Sequence, residues 1–432
     1  MGGYTNKEQG THDQQSLGDI KQRPDDRTAP LLPGPPDGGR KAWAQVLVSH
    51  LCVFNSFGYI NSFGIFQQYY VGTLSLPPPM ISWIGSIQIL LVYLVGAFSG
   101  RALDAGYYRL ILLAGVTLQI VGVFMTSLSS QYWQLLLAQG ICQGLGDGLI
   151  FCPAVANTAT YFTRSRTMAI SCVACGGATG GMAFPAIARA LLDRIGFPWT
   201  LRVMGFVMLF NAVVIMSLAR TRLQTRSGGP LVEWKAFTEL PYLLYTISMF
   251  FAFWGIWIAY CYVHSFSRDI IAVTDRASFN LILIINSVGV PGRLVPAFIA
   301  DKYFGPMNVF IPVMFAAGIL LFCWAAVSNL PGITVFTIFY GFFGAGVQSL
   351  LQAALASLNT DLKKTGVRIG MGFSIVGIAS LTGSPIDGGL VEKGGGSYIH
   401  AQIFAGGIVM VGCLVLVAAR IAKTGFRLYE RV

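Results

Sequence analysis

The feature that most limits what this chain can become is a succession of apolar segments, each long enough to cross a bilayer. A spanning helix needs about 20 mostly apolar residues. Stretches of that kind lie near 44–69, 80–101, 109–128, 133–157, 168–190 and 199–219, and again near 238–263, 277–300, 307–328, 332–357, 368–388 and 400–422. The expected fold is an all-α membrane protein with twelve transmembrane helices in two six-helix bundles, here called spans 1–12. Only 11% of the 432 residues are charged and 54% are hydrophobic, against about 25% charged in soluble domains. The polar stretch 1–43 reads as a disordered cytoplasmic tail. The bundles are expected over 44–220 and 238–424, joined by a cytoplasmic linker 221–237 and followed by a cytoplasmic tail 425–432.

The net charge of +11 invites a nucleic-acid partner, but the distribution argues against one. Of the 29 Lys and Arg residues, 22 fall on the side of the two termini, six fall on the other side, and Arg293 lies inside a span. Basic loops stay in the cytoplasm. Both termini are therefore expected to be cytoplasmic, in a multi-pass protein of the cell membrane whose partners are the lipid bilayer and a small solute. No long loop or extra domain is visible to carry an enzyme or a receptor. No cofactor or metal site is expected: the four histidines are dispersed, and Cys172 and Cys175 read as small packing residues within a span.

Two motifs flank the first bundle. Asp37-Gly38-Gly39-Arg40-Lys41-Ala42-Trp43 precedes span 1, and Tyr161-Phe162-Thr163-Arg164-Ser165-Arg166-Thr167-Met168-Ala169 leads into span 5, which is rich in Gly, Ala, Ser and Cys. Small residues let helix backbones approach closely in lipid. Together the motifs resemble the paired signatures of the monocarboxylate porter family within the major facilitator superfamily, an acidic-Gly-Gly-aromatic approach to span 1 and a Tyr-Phe-basic-basic run into span 5. Arg40-Lys41-Ala42 departs from the first pattern, where the family usually has an aromatic and a small residue. The resemblance implies two six-helix bundles with a solute site at the midplane, reached by alternating access.

A weak internal repeat fits that architecture. Gly100 precedes Asp104 by four positions after span 2, and Ala297 precedes Asp301 by four after span 8; the two aspartates lie 197 residues apart. This resembles the cytoplasmic loop motif of the superfamily. An aspartate there can accept hydrogen bonds at a neighbouring helix N-terminus and pair with Arg109, so Asp104, Arg109 and Asp301 are the expected gating residues. The alternative is a topology anchor in a tight turn.

Ionisable groups inside a membrane cost about 2.5–3.5 kcal/mol each and mark functional candidates. Arg293 lies seven residues after Asn286 on one face of span 8. In the family an arginine of this span binds the substrate carboxylate; a structural arginine held by carbonyls is the other reading. Asp147 follows Gln139 and Gln143 at four-residue steps in span 4. It could carry a coupling proton, bind a cationic group, or hydrogen-bond to neighbouring helices. His50 and Asn61 lie about 20° apart around span 1, with Phe54 and Phe57 on the same side, and His50 is either a proton-coupling or a satisfied histidine. Gln348 and Gln352 lie one turn apart in span 10, and Gly383–Gly389 forms a Gly/Pro break in span 11. The expected solute contacts are thus Arg293, Asn286, Asn61, Gln348 and Gln352, with Asp147 and His50 for proton coupling. Gly289 and Asn61 stand where the family has an aspartate and a lysine, so the residues for proton-coupled lactate or pyruvate symport are missing. The leading expectation is a monomeric secondary active transporter of a small organic acid or related metabolite. The alternative is efflux of a secondary metabolite made by a neighbouring biosynthetic pathway.

Overall fold

The computed structural model of the protein describes residues 36–222, 232–358 and 364–425. The expected tails, up to residue 35 and from 426, and the middle of the linker, 223–231, lie outside the described residues. Among the described residues all regular structure is helical. Span 1 comprises α1 (Gly39–Ile60) and α2 (Phe63–Leu74), parted at Asn61 and Ser62. Span 2 comprises α3 (Pro78–Leu94) and α4 (Gly96–Asp104), and α5 (Tyr108–Leu128) is span 3. Span 4 runs through α6 (Tyr132–Leu135), a π-helical stretch Leu136–Gln143 and α7 (Gly144–Tyr161).

α8 (Arg166–Leu218, 53 residues) is broken at Gly196, which has φ 75° and ψ 168°. Glycine alone enters that region without a Cβ penalty, and the turn there supplies spans 5 and 6. The second half follows as α9 (Leu240–Asp269), α10 (Asp275–Ile299) with a π-helical extension Ala300–Phe304, α11 (Pro306–Trp324), α12 (Leu330–Leu358), α13 (Thr365–Lys393) and α14 (Ile399–Thr424). Ten helical runs among the described residues are long and apolar enough to cross a membrane. That figure takes α8 as one and omits α1, which carries Gln45, Ser49, His50, Asn55 and Ser56.

α1 packs along α8, and α7 packs against α3 and α5; in the second half α9 packs on α14 and α12 on α10 and α11. The slim face of α8 is what brings it to α1. A Cβ at Gly176 would lie 2.2 Å from His50 O, and one at Gly180 would lie 2.4 Å from Phe54 O. Across the halves, α13 packs on α3 and α4, and α10 packs on α8. Gly96 and Gly100 of α4 face Gly366 and Gly370 of α13, a reciprocal pair of four-residue glycine spacings. A Cβ on Gly100 would fall 2.2 Å from Gly366 O, and one on Gly370 would fall 2.3 Å from Gly96 O. With no hydrophobic force between helices in lipid, backbone contact of this kind is what holds them.

The described end of the linker is tied to α13. Glu233, with its side chain 9% exposed, accepts from Lys364 Nζ at 2.6 Å and from Arg368 Nε at 3.1 Å, while Glu239 accepts from Arg368 at 2.6 Å. Burial works to raise the Glu233 carboxyl, but the Arg368 and Lys364 bonds and charges hold it below its ordinary value. A depressed carboxylate adds stability that is full above its unfolded value, about 4.3, and lost as pH falls through the folded value. Glu233→Gln should therefore destabilise the protein by about 1 kcal/mol at neutral pH. Thermal unfolding should show that gap closing as the pH drops below about 4; a gap independent of pH would mean the charge is not what matters.

Candidate functional site

Arg293, Asn286, Asn61, Gln348 and Gln352 line one central cavity with Val53, Phe57, Tyr93, Phe253, Trp257 and Tyr260. The sequence places them in spans 1, 8 and 10, and only packing α1, α10 and α12 around a common axis brings them together. Arg293 is 5% exposed. Its Nη1 donates to Gly289 O at 3.0 Å and its Nη2 to Gln348 Oε1 at 2.8 Å. Those bonds aim the guanidinium while leaving Nε unpartnered, together with Gln348 Nε2, Gln352 Oε1 and the Tyr260 hydroxyl. Buried polar atoms are nearly always paired, so the open Nε and the three open atoms lining the same cavity form a ready set of donors and acceptors.

Gly181 of α8 threads between the two halves here. A Cβ on it would meet Asn61 Nδ2 at 2.5 Å and Asn286 Oδ1 at 2.8 Å. The cavity holds about 30 Å³, room for one or two waters, so a larger solute requires the aromatic walls to part. Sequence reasoning missed most of those walls. Trp257 and Tyr260 lie three positions apart on α9, a spacing that could have marked a cavity face, but Tyr93 and Phe253 carried no such signal. Phe57 lines the cavity, whereas Phe54 packs on Phe184 at a ring separation of 5.3 Å.

Asp147 and His50 sit elsewhere. Asp147 is fully buried inside the first half. It accepts from Gln88 Nε2 at 3.0 Å and from Gln119 Nε2, which also donates to Ser56 Oγ at 3.0 Å. Higher on the same helix Gln139 accepts from the Tyr70 hydroxyl at 2.7 Å. His50 bridges α1 and α8, with Nδ1 2.8 Å from Cys172 O and Nε2 3.1 Å from Thr179 Oγ1. The carbonyl can only accept, so Nδ1 carries the proton.

The two aspartates of the internal repeat both reach across the halves. Asp104 accepts from the backbone N–H of Gly366 at 3.0 Å and Val367 at 2.9 Å, at the start of α13. Asp301 accepts from Thr167 at 3.1 Å and Met168 at 2.7 Å, at the start of α8. Each anion meets the positive end of a helix dipole and its unpaired N–H groups. Arg109, expected beside Asp104, is exposed and donates instead to Met216 O at 3.2 Å; the Asp104 oxygens are taken up by the α13 backbone. Arg166 adds a tie from Nη1 to Ala356 O at 3.4 Å. Toward the far end of α8, Arg189 lies 4.3 Å over the Phe279 ring of α10.

The two flanking motifs also meet. Asp37 accepts from the backbone and hydroxyl of Thr163 and from Arg164 N at 2.8 Å. Trp43 packs edge-on against Phe162 at 5.5 Å. Gly39, at φ 81°, makes the turn that returns the chain into α1.

Comparison with known proteins fits this geometry. The pattern of the Major Facilitator Superfamily matches residues 48–357. An "MFS-type transporter" of Gibberella zeae is 46% identical over 388 residues, covering 89% of this chain and 88% of its own. The "Aspyridones efflux protein apdF" of Emericella nidulans is 34% identical over 388 residues, covering 89% and 79%. Among solved structures, the human organic anion transporter MFSD10 aligns with a TM-score of 0.70 at 13% identity, over 88% of this chain and all of its own. The fucose transporter FucP, in its outward conformation, aligns at 0.67 with 12% identity, over 88% and 99%. These two share the fold. The chain belongs to the major facilitator superfamily and is a multi-pass membrane transporter of that family.

Proposed function

We propose that this transporter exports a partly apolar, acidic secondary metabolite. The observation that carries the reading is the central cavity, in which one guanidinium with an open Nε is enclosed by Phe57, Tyr93, Phe253, Trp257 and Tyr260. Aromatic walls suit an extended apolar body, and the forked donor suits a carboxylate or enolate. The relative named as an aspyridones efflux protein, apdF, points the same way and favours export over the small organic acid first expected. Import of a small monocarboxylate is the second reading; the meeting of Asp37 with Thr163 and Arg164 favours it as a trait resembling the monocarboxylate porters.

In this reading Arg293, Gln348, Gln352, Asn286 and Asn61 contact the solute. Asp104 and Asp301 close the cytoplasmic end, and Arg109 braces α5 on α8. Asp147 takes up the coupling ion, a proton in the simplest case, and His50 serves as a second proton-accepting group. The protein works as a monomer in the plasma membrane with both termini in the cytoplasm. The test is metabolite profiling of cells lacking the protein. A specific compound should accumulate inside and be depleted outside by about tenfold, the ratio that a 1.4 kcal/mol driving force maintains. Unchanged distribution of every acidic metabolite would sink the export reading.

A further inference from the structure

The open polar atoms near Asp147 outnumber what a proton can use. Gln88 and Gln119 each spend their amide nitrogen on the carboxylate, and the amide oxygen of each is left buried without a partner. Gln143, one turn before Asp147, has both amide atoms unpartnered, and the fully buried Tyr59 hydroxyl, within electrostatic reach of the carboxylate, is open as well. All of these side chains are at most 1% exposed. No basic side chain bonds to Asp147 among the described residues; from α1, Ser56 hydrogen-bonds to the carboxylate and Tyr59 is the titratable group within its electrostatic reach, while α3 and α5 present Gln88 and Gln119. A lone carboxylate in a bundle interior needs a positive counterpart. A proton on Asp147 would give one O–H donor, which one amide oxygen can accept. Two further amide oxygens and a phenol would remain open.

A cation draws on all of them at once. Turning the Gln88 and Gln119 amides about their last bond, an exchange of O for N that keeps the shape of the side chain, would aim both oxygens at the carboxylate. We propose that Asp147, Gln88, Gln119, Gln143 and Tyr59 form a binding site for a monovalent alkali cation, with sodium as the probe, separate from the central cavity and contested by protons at Asp147. Hard oxygen donors select such ions over soft metals, and a single carboxylate balances one charge rather than two. The π-helical stretch Leu136–Gln143 ends on one of the ligands, as such irregular turns often do at functional positions. The site also tethers α3, which carries Tyr93 of the cavity wall, to α7. Any role of the ion in coupling rests on the reading of Asp147 given under Proposed function; the binding itself does not.

The test is binding of radiolabelled sodium to the purified wild-type protein in lipid nanodiscs, with thermal unfolding in sodium chloride against N-methylglucamine chloride at equal ionic strength. The proposal expects saturable binding that unlabelled sodium displaces and that weakens as pH falls, with a sodium-specific rise in Tm. Asp147→Asn should abolish both effects, and Gln119→Leu should weaken binding by about 10–100-fold, while Asp193→Asn, at an exposed carboxylate outside the site, leaves binding unchanged. Absence of specific sodium, lithium or potassium binding to folded wild type overturns the site. Binding that survives Asp147→Asn overturns it too. Sodium binding without any effect of a sodium gradient on transport supports the site and removes only its coupling role.

Discussion

Gly366→Val is expected to open the end of the transporter marked by Asp104 and to cut transport at least about tenfold. Valine's Cβ would fall 2.2 Å from Gly100 O and 2.7 Å from Asp104 Oδ1. Neither atom is the free end of a flexible chain: one is backbone, and the other belongs to a carboxylate whose two oxygens are each held by a backbone N–H. α4 and α13 must therefore separate, and the Asp104 bonds to Gly366 and Val367 lengthen with them. Hydrogen bonds to a charged group contribute about 1.5–3 kcal/mol each. Losing both would shift the closed population by about a hundredfold or more. Spin labels at the exposed Tyr107 and Tyr303, one on each half, would report the change as a longer separation. Asp104→Asn, which keeps the packing and weakens only the charge, should lengthen it less. An unchanged distance distribution in Gly366→Val would show that the glycine contact does not hold this end shut.

That latch was half legible in the sequence. Asp104 and Asp301 stood out because each follows a span in an equivalent position of the two halves, and capping of a helix N-terminus follows from the chemistry of a carboxylate at a helix end. Their partners were hidden, because Gly366 and Thr167 belong to the opposite half and only the packed bundles bring them near. Arg109 illustrates the limit: adjacency in sequence made it the natural partner for Asp104, while helix geometry turned it toward Met216. The succession of long apolar helices was readable from hydropathy alone. The polar break at Asn61 and Ser62 was not, since it depends on backbone angles rather than apolar length.

The Asp147 environment was legible in the same partial way. Spacing placed Gln139, Gln143 and Asp147 on one helix, but Gln88 and Gln119 are single polar residues on two other spans and gave no pattern. Long-range convergence of isolated side chains has no local signature. Glycine was the better guide, because a residue without a side chain in an apolar helix announces close contact even when its partner is unknown. Gly176 and Gly180 against α1, and Gly366 and Gly370 against α4, are of this kind.

Arg293→Ala should reduce transport of an acidic solute by about a hundredfold or more, and Arg293→Lys by an intermediate amount. Gly289 O and Gln348 Oε1 hold two nitrogens of the fork and leave the third for the solute. Alanine removes the charge and also strands Gln348 Oε1, whose bond the arginine supplied. Truncating a buried, hydrogen-bonded charge typically costs about 2–5 kcal/mol of binding. Lysine keeps the positive charge but offers a compact ammonium in place of a planar fork, so it cannot satisfy Gln348 and a carboxylate with the same geometry. The measurement is export of the metabolite identified by profiling, in cells carrying each variant at equal membrane abundance. Lysine matching the wild type would reduce Arg293 to a point charge with no orienting role. Full activity in alanine would mean that the solute is uncharged, and the aromatic walls, with Gln352 and Tyr260, would then have to supply its recognition.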